Sequence, residues 1–319
     1  MAQAPRQPCY NSNIRPQRNR SAHPYKISKK LVILLALVVL NAAVSAQSTS
    51  GPNIPKSDLY SVKSKDGTSI GFECAGRGPT LLFVHGGVGD RTRWTPMFPF
   101  LSSKFTVCAM DRRGRGASGD SPDYSLRKEA EDVAAIVNSR RGPVYVFGHS
   151  YGGVAALEAT FLTKRITKLM LYEPPLHDPV GNNLQVADRV EELVRKGELE
   201  NALVLFQAEV VKQSPDEISR MKARPTWPGL VATIAVHPRQ MRALAAYRFE
   251  AKRMKSVKMP TLLLLGSDTP SPYAKQSIEA LRQSLPSPTL VILENQAHNA
   301  MDGGRDALAK AIIDFAASR

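Results

Sequence analysis

Cysteine is scarce, three in 319 residues, and no cysteine or histidine falls at a metal-ligand spacing, which excludes a zinc module. Long apolar runs are missing too. The longest, Leu31 to Leu40, has ten residues and is too short to span a bilayer comfortably. Acidic residues are in the minority, 28 against 43 Lys and Arg, and the net charge of +15 first suggests an anionic partner. No basic stripe is interleaved with aromatics, however, so a nucleic-acid partner is set aside. Internal repeats and low-complexity tracts are absent.

The charge that remains is unevenly placed. Residues 1–30 hold seven basic residues and no acidic one, and residues 31–46 carry no charge. Lys26, Lys29 and Lys30 precede the apolar run, and Val44-Ser45-Ala46 closes it with small residues. That is the layout of a secretory signal peptide over residues 1–46, with export to the periplasm or medium as the expected location. The alternative is a membrane-tethered form held through residues 31–45, the only membrane contact the sequence suggests. Cys74 and Cys108 remain after such a leader, each in a strand-like run. They read as two lone buried thiols, with a disulfide as the alternative open to an exported protein.

After a polar linker, residues 47–57, the chain alternates. Strand-like runs are expected at Leu59 to Lys63, Ser69 to Cys74, Thr80 to Val84, Phe105 to Met110, Val144 to Phe147, Ile166 to Leu171, Thr261 to Leu265 and Thr289 to Leu293. Helical periodicity appears at Leu126 to Ser139, Ala274 to Ser284 and Asp306 to Ala316. Between about 176 and 257 the pattern is helical and broken by prolines, a block inserted after the sixth strand. The whole reads as an α/β fold, a mostly parallel sheet with helices on both faces. Gly114, Gly116 and Gly119 match the spacing of a dinucleotide loop, but no helix opens at the right place, so no nucleotide cofactor is expected.

The chemistry centres on Gly148-His149-Ser150-Tyr151-Gly152, a G-x-S-x-G pattern between a buried strand and a small-residue helix. A serine hydroxyl needs a base, and His298 is the histidine that follows the last strand. The base needs a carboxylate, for which Asp268, at the end of the seventh strand, is preferred and Glu173, at the end of the sixth, is the runner-up. An oxyanion would be held by the backbone N–H groups of Tyr151 and, from the His85-Gly86-Gly87 loop, of Gly87. Trp227, Phe206, Met241 and Tyr247 of the helical block are candidates for shaping an apolar pocket. His177 and His237 belong to the same block.

Together with Asp111-Arg112-Arg113-Gly114-Arg115-Gly116, these motifs resemble the α/β-hydrolase fold superfamily over residues 58–318. The resemblance implies an eight-stranded sheet, a helical cap over the site and serine-dependent hydrolysis without a cofactor. It also implies that the Asp111-Arg112 turn serves the architecture. The expected activity is cleavage of a small or medium ester, thioester or lactone through an acyl-enzyme, acting on a small-molecule substrate. Carbon–carbon bond hydrolysis, cofactor-free perhydrolysis and a catalytically silent ligand-binding protein are the alternatives. The turn Gly266-Ser267-Asp268 is one residue shorter than the G-x-x-D spacing common in such proteins.

Overall fold

The structure is a computed structural model that describes residues 54–176 and 183–318. The proposed leader, most of the linker and His177 lie outside these residues. Eight strands form one sheet in the order β1-β2-β4-β3-β5-β6-β7-β8. They are β1 (Asp58–Lys63), β2 (Ser69–Gly76), β3 (Thr80–Val84), β4 (Thr106–Met110), β5 (Val144–His149), β6 (Ile166–Tyr172), β7 (Thr261–Gly266) and β8 (Thr289–Leu293). Only β2 runs against the others, being antiparallel to both β1 and β4. Every pairing from β4 across to β8 is parallel.

The central strands are apolar throughout because both faces of the sheet are covered. All five residues of β3 are buried. Alternate side chains go to opposite faces, so Leu82 and Val84 join one core layer while Leu81 and Phe83 join the other. The first layer is closed by helices α2 (Leu126–Ser139), α3 (Tyr151–Ala159) and α10 (Pro272–Ser284). The second is closed by α1 (Phe98–Leu101), α11 (Ala300–Gly303) and α12 (Arg305–Ala317). Helix α2 starts where Ser125 accepts the N–H of Lys128, a side-chain cap for an otherwise orphaned donor.

Between β6 and β7 the described residues form helices and no strand. These are α4 (Asn183–Arg195), α5 (Leu199–Glu209), α6 (Pro215–Lys222), α7 (Trp227–Thr233), α8 (His237–Ala246) and the short α9 (Ala251–Met254). The first five share a small apolar core of their own that includes Val190, Leu203, Phe206, Trp227 and Met241. Among the described residues no helix is long and apolar enough to cross a membrane.

Cys74 and Cys108 are not lone thiols. They face each other in the register of β2 and β4 and form a disulfide. The sequence shows that each is in a strand, but only the pairing register brings them opposite one another. With a sequence separation of 34 between the two cysteines, the chain-entropy argument gives such a bond about 4 kcal/mol of stabilisation.

Candidate active site

Because the strands from β3 to β8 are parallel, their carboxyl ends share one edge of the sheet, where ligands of open α/β sheets gather. Ser150 stands there between β5 and α3 with φ 53° and ψ −128°, a conformation that costs a non-glycine residue about 1–3 kcal/mol. The flanking glycines permit it. A Cβ on Gly148 would lie 2.6 Å from the Gly153 Cα, and one on Gly152 would run into the carbonyls of Val84 and His85. The Ser150 N–H is tied to the Tyr172 carbonyl at 2.9 Å. Its hydroxyl makes no hydrogen bond with any described residue and lines a cavity together with His298.

His298 follows β8, and its Nδ1 lies 2.6 Å from Oε2 of Glu173. Glu173 is buried at the end of β6 with φ 46°. Its other oxygen accepts the Gly266 N–H at 2.9 Å and the Thr269 hydroxyl at 2.5 Å. This corrects the preference for Asp268. In the short turn the Asp268 N–H is bound to the Gln296 carbonyl at 2.9 Å, and its exposed carboxylate meets only the Ser267 hydroxyl. The backbone of that turn packs on the His298 loop so closely that a Cβ on Gly266 would strike the Gln296 carbonyl. The turn docks through its backbone and leaves the Asp268 carboxylate outside, while the carboxylate that meets His298 comes from Glu173 at the end of the neighbouring strand.

Two core side chains hold the His298 loop. His149 Nε2 lies 2.8 Å from the His298 carbonyl oxygen, and the two rings are 4.6 Å apart. The Tyr172 hydroxyl donates to the Ala297 carbonyl. Burial, reinforced by the nearby His298, pushes the pKa of His149 well below the usual histidine range, so it is a neutral donor. The middle residue of Gly148-His149-Ser150 therefore positions the residue that follows the last strand.

The loop after β3 is held by its carbonyls. The Gly86 carbonyl accepts from Arg112 Nη1 at 2.7 Å and from His85 Nδ1 at 2.9 Å, and the Gly87 carbonyl accepts from Arg115. His85 accepts the Arg112 N–H on its Nε2, which fixes its tautomer, and burial keeps it neutral. In a trans peptide the N–H points away from the C=O. With the carbonyls turned into the protein, the N–H groups of Gly87 and Val88 are turned the other way, and both residues line the cavity. Tyr151, the first residue of α3, lines it too, and helix-start N–H groups have no partner within the helix.

The Asp111–Gly116 loop thus does more than shape a turn. Arg112 is buried against Glu129 through two 2.7 Å hydrogen bonds, with its guanidinium 4.2 Å from the centre of the Tyr151 ring. Asp111 keeps an architectural part, accepting the N–H groups of Arg91 and Ala117. Sequence reasoning missed this support. The available signal was three arginines, Arg112, Arg113 and Arg115, on one strand-end loop with no acidic neighbour in the loop other than Asp111.

The cavity has a volume of about 180 Å³. Of the pocket candidates, Phe206 and Met241 line it, beside Val210, Leu230 and Leu244. Trp227 is buried in the core of the helical block, and the Tyr247 hydroxyl is bound to Glu158 away from the site. His237 also lines the cavity, against Gly87, and its pKa is pushed down to about 3 by burial and by Arg115. Among the described residues no cluster of His, Cys, Asp and Glu is suited to hold a metal ion.

A family profile described as "Alpha/beta hydrolase family" matches residues 81–311. An α/β hydrolase from Sphaerobacter thermophilus has a similar solved structure, with a TM-score of 0.71 and 35% identity, over 80% of this chain and 99% of that one. A thermophilic esterase from Thermogutta terrifontis matches with a TM-score of 0.67 at 22% identity, over 81% of this chain and 98% of that one, a likeness of fold. An uncharacterized hydrolase, YraK, of Bacillus subtilis is 30% identical over 149 residues, 44% of this chain and 54% of that protein. The 2-(acetamidomethylene)succinate hydrolase of Mesorhizobium japonicum is 38% identical over 80 residues, 24% of this chain and 28% of that protein. The chain thus spans about half, or less, of the length of the curated relatives it matches.

Proposed function

Given that the chain belongs to the α/β-hydrolase family and is a hydrolase, we propose that it cleaves a small or medium carboxylic ester, thioester or lactone through an acyl-enzyme on Ser150. The observation that carries this reading is the Glu173–His298 pair at 2.6 Å, lining one cavity with a serine held in a strained turn. Glu173 accepts the Nδ1 proton of His298, which leaves Nε2 as the basic nitrogen. Nε2 takes the Ser150 proton as Oγ attacks the acyl carbon. The carbonyl oxygen becomes an oxyanion facing the N–H groups of Gly87 and Tyr151, each such donor being worth about 3 kcal/mol of barrier.

His298 then returns the proton to the leaving oxygen as the acyl C–O bond breaks. Water, deprotonated by the same nitrogen, releases the acid and restores Ser150. Arg112 and Arg115 act at one remove. By binding the carbonyls of Gly86 and Gly87 they fix the orientation of two peptide planes and strengthen the N–H dipoles on the far side. The apolar side chains of α5 and α8 suit a short aliphatic or aromatic acyl arm.

A fluorophosphonate probe tests the site without any guess of substrate. One adduct per chain on Ser150, abolished in Ser150→Ala and at least a thousandfold slower in His298→Ala, is expected. Folded protein that takes up no probe would sink the reading in favour of a silent binding scaffold.

The export reading is proposed on the basic and apolar pattern of residues 26–46. The Cys74–Cys108 disulfide supports it, since such bonds persist in oxidising compartments. N-terminal sequencing of protein recovered outside the cytoplasm should begin just after Ala46. Full-length protein retained with the membrane fraction would favour the tethered form.

A further inference from the structure

Two cavities meet at His298. The first is the apolar one that holds Ser150. The second, about 230 Å³, lies beside α6 and shares Val211, Met221, Pro270, His298 and Asn299 with the first. Its remaining lining is polar or charged, chiefly Gln213, Glu217, Arg220, Arg224 and Asp302. On the proposed hydrolase reading, on which this inference rests, His298 hands its proton to the departing oxygen. The alcohol part of the substrate must therefore leave past His298, and the cavity on that side is where it has room.

The lining carries two arginines, Arg220 and Arg224, and two carboxylates, Glu217 and Asp302. Asp302 is shared by two arginines, with Arg93 Nη1 at 2.6 Å and Arg224 Nη1 at 2.5 Å. Glu217 is turned onto the start of its own helix, where one oxygen accepts the Ser214 N–H at 2.7 Å and the Ser214 hydroxyl at 2.9 Å. Arg220 faces the same cavity and makes no hydrogen bond or ion pair with any described residue. Arg224 and, from the first cavity, Arg93 thus occupy Asp302, Glu217 is held by Ser214, and the guanidinium left without a partner among the described residues is Arg220.

We propose that this second cavity is the leaving-group subsite and that it selects alcohols carrying a carboxylate, received by Arg220. A planar guanidinium fork matches a carboxylate in geometry as well as charge. The acyl arm would stay in the apolar cavity, so the substrate class is an ester with an apolar acid part and an anionic alcohol part.

Three chromogenic or charged esters with one acyl group test this on the full chain. They are 4-nitrophenyl butanoate, 3-carboxy-4-nitrophenyl butanoate and butyrylcholine, each rate divided by that ester's own hydroxide-catalysed rate. The carboxylate ester should lead the neutral one in kcat/KM by about three- to fivefold at low salt, the size expected of a partly exposed ion pair. Butyrylcholine should trail both, and added salt should shrink the spread. Arg220→Glu should bring the carboxylate-to-neutral ratio below one. Lys222→Glu makes the same charge change two residues along α6, where Lys222 pairs with Glu200 outside the cavity, and should keep the ratio.

A ratio that survives Arg220→Glu, or that Lys222→Glu moves equally, overturns the inference. Turnover of the neutral ester without preference for the anionic one overturns it while leaving the hydrolase reading intact. If no ester turns over and Ser150 takes no fluorophosphonate, the hydrolase reading fails first and takes this inference with it.

Discussion

Strands β6 and β7 are neighbours, both parallel, and each is followed at the same edge of the sheet by a carboxylate. Glu173 comes one residue after β6 and is buried, with two donors on one oxygen and His298 on the other. Asp268 comes two residues after β7 and is exposed, with one serine hydroxyl beside it. The difference teaches that a triad acid is defined by its donors. A carboxylate whose oxygens are already ordered by N–H and O–H groups presents one lone pair in a fixed direction, whereas a solvated one orients nothing.

The sharpest way to break this comparison is to neutralise each acid in turn. Glu173→Gln keeps the shape but removes the charge that stabilises the His298 imidazolium, and should lower kcat by about 10⁴. A fall of less than tenfold would return the role to Asp268. The same contrast extends to histidines. His85, His149 and His237 are buried and have pKa values pushed below the usual range, mainly by burial, whereas His298 is partly open to the cavity.

A depressed folded-state pKa means that the unfolded chain binds protons more readily below about pH 6.5. The stability contributed by each buried histidine is therefore full above the unfolded value and is lost as pH falls toward the folded one. The three together should remove up to about 4 kcal/mol per pH unit below pH 6, read by denaturant titration at several pH values. A pH-independent stability between 7 and 5 would contradict the neutral buried state.

A smaller effect is expected from Thr269→Val, which deletes one of the two donors on Glu173 Oε1. Hydrogen bonds to charged groups are worth about 1.5–3 kcal/mol, so kcat should fall roughly tenfold while Ser150 still labels. The smallest effect is assigned to Asp268→Asn, within about twofold in kcat/KM and about 0.5 kcal/mol in stability, as for other exposed surface positions. A larger loss there would mean that the β7 turn contributes more than its backbone.

Much of this was legible in the chain. The run Thr80 to Val84 is apolar because a strand covered on both faces has no polar side to show, and the structure places it at the centre of the sheet. Gly148, Ser150 and Gly152 could be read as a strained elbow because the steric demand is local and falls on adjacent residues. His298 could be found by elimination among six histidines. The acid could not, since Glu173 and Asp268 both end strands and sequence spacing does not say which strand end closes on the His298 loop.

By itself, then, the sequence determined what depends on near neighbours: the alternation of strands and helices, the elbow at Ser150 and the glycines of the loop after β3. Only the tertiary structure decided what depends on contacts between distant segments. It put Glu173 rather than Asp268 against His298, joined Cys74 to Cys108, set His149 on the carbonyl of His298 and set Arg112 on that of Gly86. The physical reason is the same in each case. Local conformation is fixed by sterics and periodicity within a few residues, whereas a hydrogen bond or a disulfide between remote segments needs a register and a docking that no short stretch encodes.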